Sequence, residues 1–305
     1  MSSEQEIEAL HEVFAIPGVV EVSPGNGGLA RVRITSPAAE AEIYLHGAQV
    51  TAWKPAGEDE VIFVSEKSAW VDGKAIRGGI PVCFPWFREK VDDLKAPSHG
   101  FVRTKEWELF SVAQTGEDIV VTLTTSSDDA SRKWWPHEMR VVHRITVGKE
   151  LRLELIAVNT GESSFLLEEA LHTYYRVGDA EKIRVEGLDG VTYFDNTDGN
   201  REKVQQGDVH FTASTDNAYQ NTEGRLTLVD PVLKRRIAIE KAHSRSTVVW
   251  NPWVEGAAKL ADLGDEEWRE MTCVEGGNLR ICAVPLAPGE QHTLEVTMRV
   301  LPEGR

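Results

Sequence analysis

The sequence predicts an all-β fold, with antiparallel strands in one domain behind a short helical lead-in. Three observations predict it. Apolar and polar residues alternate with a period of two from about residue 29 to residue 300, the spacing at which a strand shows one face to a core. Clusters of Gly, Asn, Asp and Pro, such as SPGNGG, DNTDGN and APGE, punctuate these runs. Strands do not alternate regularly with helices, as a parallel α/β fold requires.

The elements follow in chain order. In MSSEQEIEALHEVF, Ile7, Leu10, Val13 and Phe14 fit one helical face, so residues 1–20 read as a lead-in and 21–305 as a single domain. Leu29, Val32 and Ile34 begin the alternation, and Ile43 and Leu45 continue it in AEIYLHGAQVTAW. DIVVTLTT is rich in β-branched residues, MRVVHRITV follows, and LRLELIAV places Leu151, Leu153, Leu155 and Ala157 on one face. EEALHTYYRVGD reads as one strand, with His172, Tyr174 and Arg176 on the face opposite Leu171 and Val177. KIRVEGL, RLTLVD, RRIAIE and STVVW come next, and HTLEVTMRV closes the set with Leu294, Val296, Met298 and Val300.

Composition excludes several function classes. The chain has 305 residues and a formal charge of −16, which opposes general binding to nucleic acid or anionic membranes. A small anionic ligand would need its own arginine cluster. No apolar run reaches the roughly 18–20 residues of a membrane span. The acidic N-terminus does not read as a secretory signal, so a cytoplasmic location is expected. Cys83, Cys273 and Cys282 form neither a paired framework nor a C-x-x-C spacing, which suits a reducing compartment. Nucleotide-loop and zinc-protease motifs are absent, and His137-Glu138 alone is a weak metal signal.

Four stretches gather polar residues. In IRGGIPVCFPWF, Arg77 precedes a Gly-Gly pair whose N–H groups suit an anion, although a turn with a solvated arginine has the same sequence. In APSHGFVRTKEW, His99 adjoins Gly100 and Arg103 follows four residues on, which also describes a loop entering a strand. In EEALHTYYRVGD, a strand would hold His172 rigidly, whether for structure or for chemistry. In WNPWVEGAAKLADLGDEEWREMTCVEGGN, the aromatic head suits a sugar-stacking wall and DEEWRE reads as solvated. Glu275 ends a strand-like run, where partial burial would raise its pKa toward that of a general base. Trp134 and Trp135 read as core or edge packing.

Taken in this order, together with GLDGVTYFDN, these stretches resemble the glucose-6-phosphate 1-epimerases, the D-hexose-6-phosphate mutarotases related to aldose 1-epimerases. The resemblance spans about residues 30 to 300. It implies an antiparallel β-supersandwich of the galactose mutarotase type, with a cleft on a concave sheet. It implies interconversion of the α and β anomers of an aldohexose 6-phosphate, without metal or cofactor. Position by position, it makes His172 the general acid and Glu275 the general base. Arg77, Arg103 and Asp195 match substrate-binding positions and His99 a second active-site histidine, with Arg88 and Lys90 as alternative phosphate ligands. Ser98 departs from the glutamine that family members carry before the His-Gly pair. The expected partner is a small sugar phosphate, and the expected state a monomer or weak homo-oligomer. Two further readings keep the fold: a mutarotase for unphosphorylated aldoses, and a non-catalytic carbohydrate-binding protein.

Overall fold

The computed structural model describes residues 2–301; residues 302–305, the end of the expected domain, lie outside it. Two large antiparallel sheets face each other. The outer sheet has nine strands, and its centre is the run Arg235–Ala242, Gln291–Leu301, Glu150–Asn159, Met139–Val147 and Asp118–Ser126. Met139–Val147 and Glu150–Asn159 are buried at every second residue, as expected of a sheet with one face on a core and one toward solvent.

The inner sheet has eight strands, and its centre is Thr215–Gln220, Ser246–Asn251, Met271–Asn278 and Glu169–Leu171. Its middle strands are covered on both faces: all eight residues of Met271–Asn278 are buried. Alternation still decides where each side chain goes. Val249 and Val274 turn into the core between the sheets with Leu294, Val296 and Met298. Val248, Cys273 and Glu275 turn the other way. A four-stranded sheet, Val20–Pro24 to Gln49–Pro55, adds its apolar face to the same core.

Two expectations about elements change. The Glu4–Phe14 helix forms behind a Ser3–Glu6 capping box and buries Ile7, but Val13 is 72% exposed. Its apolar stripe is therefore narrower than the spacing implied. The run around His172 is not one strand. It divides into Phe165–Leu167, Glu169–Leu171 and Tyr174–Arg176, and the first of these pairs with Val284–Leu286 in a separate two-stranded sheet. His172 and Thr173 fall in the break between the second and third segments, where both segments pair with Met271–Asn278.

Candidate active site

His172 leaves the Glu169–Leu171 strand with its N–H donating to the Pro81 carbonyl at 2.9 Å. Its ring stacks on Tyr174 at 4.9 Å and meets the edges of Trp250 at 6.0 Å and His99 at 5.6 Å. Glu275 comes from the neighbouring strand, two residues after Cys273 on the same face. The two side chains meet across the strand break, with His172 Nδ1 at 3.3 Å from Glu275 Oε1. Glu275 is 1% exposed and His172 7%. Nδ1 and both carboxylate oxygens are buried without an aligned hydrogen bond in the protein. Orphaned buried polar groups are costly, so these three atoms mark a place built for a guest.

Electrostatics push the pair apart. Burial, reinforced by Asp216, holds the Glu275 carboxyl well above the usual carboxylate range, against the opposing pull of Arg88 and Arg103. Burial, followed by the charges of Arg103 and Arg77, holds the His172 imidazole well below its usual range. Burial thus disfavours the charged form of each partner.

Three guanidinium groups line the same cavity, which has a volume of about 350 Å³. Arg77 donates to the Tyr174 hydroxyl at 3.1 Å and pairs with Asp262 at 3.1 Å. Arg88 pairs with Asp216. Arg103 donates to the Ser98 carbonyl at 2.9 Å and pairs with no carboxylate among the described residues, and its Nε is buried without a partner. His99, in a left-handed backbone conformation, donates its N–H to the Arg88 carbonyl at 2.8 Å and closes the loop between them. Gly100 follows at φ +76°, and a Cβ there would lie 1.8 Å from the Phe84 carbonyl oxygen, so only glycine fits.

The structure thus brings together His172, Glu275, Arg77, Arg103 and His99, with Arg88 and Ser98. It does not bring Asp195. That carboxylate accepts from the Thr197 N–H and hydroxyl and from Lys203, and it organises its own turn. Asp216, on Thr215–Gln220 and opposite Trp250 in register, does line the cavity, as do Glu275 and Glu89. Nothing in the sequence singled Asp216 out; register with the Ser246–Asn251 strand brings it to the cavity. Lys90 pairs with Asp92 outside the cavity. The Gly79 N–H is not free for an anion, because it donates to the Phe63 carbonyl at 2.7 Å.

Trp250 supplies the aromatic wall, while Trp253 packs on Trp268 at 4.3 Å. The DEEWRE stretch is not simply solvated. Trp268 is fully buried, and Glu267 accepts from the Ser65 hydroxyl and the Glu66 N–H. Trp135 packs between Phe84 and Phe165.

His172, Cys273 and Glu275 are the described residues whose donor atoms come closest to a metal-ligand set, within 4.8 Å of one another. Their surroundings do not suit a cation. Three guanidinium groups share the cavity, and burial and then Glu275 hold the Cys273 thiol well above its usual range, so it stays protonated.

Known proteins share this chain's sequence and fold. The aldose 1-epimerase family profile matches residues 30–299. A Salmonella typhimurium protein named "Putative glucose-6-phosphate 1-epimerase" is 32% identical over 272 residues, covering 87% of this chain and 90% of its own. A relative of the same name from Cenchrus ciliaris is also 32% identical, covering 86% and 82%. The crystal structure of a Salmonella typhimurium "putative mutarotase" superposes with a TM-score of 0.88 at 30% identity, covering 98% of this chain and 99% of that one. A galactose mutarotase related enzyme from Lactobacillus acidophilus shares the fold, with a TM-score of 0.72 at 13% identity over 90% and 98%. The chain has the galactose mutarotase-like fold and belongs to the aldose 1-epimerase family of sugar-anomerising isomerases.

Proposed function

We propose that the protein interconverts the α and β anomers of D-glucose 6-phosphate or a closely related aldohexose 6-phosphate. The observation that carries this reading is one cavity holding both the His172–Glu275 pair and three guanidinium groups, one without a carboxylate partner. Opening a pyranose requires that the C1 hydroxyl lose its proton and the ring oxygen gain one. In the reactive form of the pair, Glu275 is a carboxylate base and His172, protonated on both ring nitrogens, an imidazolium acid. Glu275 then takes the proton from O1 while His172, through Nε2, protonates the ring oxygen. Rotation about C1–C2 in the open aldehyde and the reverse transfers deliver the other anomer, with no net proton consumed. Each positioned acid or base contributes about 10²–10⁴-fold.

Arg103 is the primary phosphate ligand, because its charge is uncompensated in the cleft. Arg77 and Arg88 turn from Asp262 and Asp216 toward the same phosphate oxygens. Asp216 takes the substrate-binding role that the resemblance implied for Asp195. Trp250 and Tyr174 present ring faces and edges to the sugar's C–H groups. Three unpaired buried cysteines favour a reducing, cytoplasmic setting.

One observation favours a second reading. Two of the three arginines already have carboxylate partners, which leaves room for an unphosphorylated aldose as the natural substrate. Magnetisation exchange between the α and β anomeric protons, measured on glucose 6-phosphate, glucose and galactose with catalytic amounts of protein, separates the two. Acceleration confined to the phosphorylated sugar supports the proposal. Acceleration confined to free sugars transfers it to the second reading, and none at all overturns both.

A further inference from the structure

Behind Glu275, on the side away from the cavity, lies a lysine in an unusual place. On the Arg235–Ala242 strand of the outer sheet, Ile237 and Ile239 point into the core, and the next residue on that face is Lys241. Its side chain crosses toward the inner sheet beside Gly276. A Cβ at Gly276 would lie 3.2 Å from Lys241 Cδ and 2.7 Å from Val296 Cγ2, so the missing side chain is what admits the lysine stem.

The ammonium then meets four oxygens: the Thr222 carbonyl at 3.1 Å and hydroxyl at 2.9 Å, the Ser246 carbonyl at 3.0 Å, and the Thr247 hydroxyl at 2.8 Å. All four are neutral, and among the described residues no carboxylate pairs with this amine. Neutral carbonyl and hydroxyl oxygens converging on one positive charge replace a hydration shell, as they do around a bare monovalent cation. The cage is tied to the catalytic strand. Thr247 sits opposite Gly276 in register, Ser246 opposite Gly277, and Val248 opposite Glu275 itself.

We propose that Lys241 is a positioning residue for Glu275, a tethered cation that passes beside Gly276 and clamps the Ser246–Asn251 strand and the Thr222 turn in register with Met271–Asn278, and that its four-oxygen cage accepts ammonium or potassium when the lysine is truncated. A solvent cavity of about 570 Å³ reaches Lys241 from the Ser244, Asn278 and Cys282 side, so a free cation has an entry path. The clamp acts on the alignment of the carboxylate, not on substrate, and this part rests on the anomerisation reading above.

The test uses Lys241→Ala and Lys241→Met in the full chain, assayed for glucose 6-phosphate anomer exchange and for melting temperature. Salts are ammonium, potassium and tetramethylammonium chloride at equal ionic strength. Lys241→Ala is expected to lose on the order of 10–100-fold in kcat, since small misplacements of a catalytic group cost that much, while KM stays within about twofold, because ground-state binding is untouched. Ammonium and potassium restore kcat saturably and raise the melting temperature of this variant, whereas tetramethylammonium, too bulky for the cage, does neither. Lys241→Met, which fills the channel without a charge, stays impaired in every salt. Wild-type kcat in either variant overturns the proposal, as does equal rescue by all three salts. Should the unaltered protein fail to exchange anomers, the anomerisation reading falls, and a rise in the melting temperature of Lys241→Ala with ammonium and potassium but not tetramethylammonium still reports the cage on its own.

Discussion

Replacing Arg103 by methionine tests the division of labour in the cavity most sharply. The substitution keeps a flexible stem of similar length and removes the one guanidinium whose charge no carboxylate compensates. If the phosphate takes one charge-assisted hydrogen bond from Arg103, about 1.5–3 kcal/mol of binding is lost. At 1.4 kcal/mol per decade, kcat/KM for glucose 6-phosphate falls roughly 10–150-fold. Free glucose never meets this group, so its exchange rate should stay within about twofold of the unaltered protein. The fold should tolerate the change, because the variant loses a hydrogen bond to the Ser98 carbonyl but also a buried unpartnered Nε. The assay is anomeric exchange for both sugars with both proteins, which forms a cycle isolating the arginine–phosphate coupling. An equal loss for glucose and glucose 6-phosphate would refute the reasoning, since Arg103 would then be acting on the sugar or on the fold.

Other outcomes follow from the same geometry. Burial lowers His172 and raises Glu275, so in kcat the limb that follows His172 should lie below the ordinary 6.5 and the limb that follows Glu275 above the ordinary 4.5; limbs at the two ordinary values would contradict the shifts. Glu275→Gln should lower kcat by about 10²–10⁴-fold and raise the melting temperature. Because the folded carboxyl titrates above its unfolded value of 4.5, its destabilising effect is absent below pH 4.5 and grows as pH rises, so this gain in melting temperature should be larger at pH 7 than at pH 4. Asp216→Asn should impair exchange while Asp195→Asn leaves it nearly unchanged; the reverse pattern would restore the sequence's assignment. Gly100→Ala, forced against the Phe84 carbonyl at positive φ, should destabilise by roughly 2–5 kcal/mol and be read as a fall in melting temperature.

Much of this protein was legible in its residues because strand alternation is a local property. Leu151, Leu153, Leu155 and Ala157 point one way whatever else the chain does, and the structure buries all four. Cys273 and Glu275 likewise share a face because they are two residues apart on a strand. The glycines around the cleft were visible as punctuation, though not the atoms they make room for: the Phe84 carbonyl at Gly100 and the Lys241 stem at Gly276.

What alternation cannot supply is register between strands distant in sequence. Asp195 and Asp216 are both acids in polar strand-like runs, and only the pairing of Thr215–Gln220 with Ser246–Asn251 puts Asp216 in the cavity. The strand break at His172 was hidden for the same reason, since Met271–Asn278, the strand with which both flanking segments pair, lies about a hundred residues on. DEEWRE reads as solvated because its charges dominate its composition, yet Trp268 finds a buried place beside Trp253 once the chain has folded back. The sequence by itself therefore determined the all-β class, the faces of its strands and most of the residue types of the site, because these depend on backbone periodicity and side-chain chemistry. Tertiary structure alone decided the 3.3 Å meeting of His172 and Glu275, the burial that separates their proton affinities and the carboxylates that oppose two of the three arginines, because each depends on distance and desolvation between segments that only folding brings together.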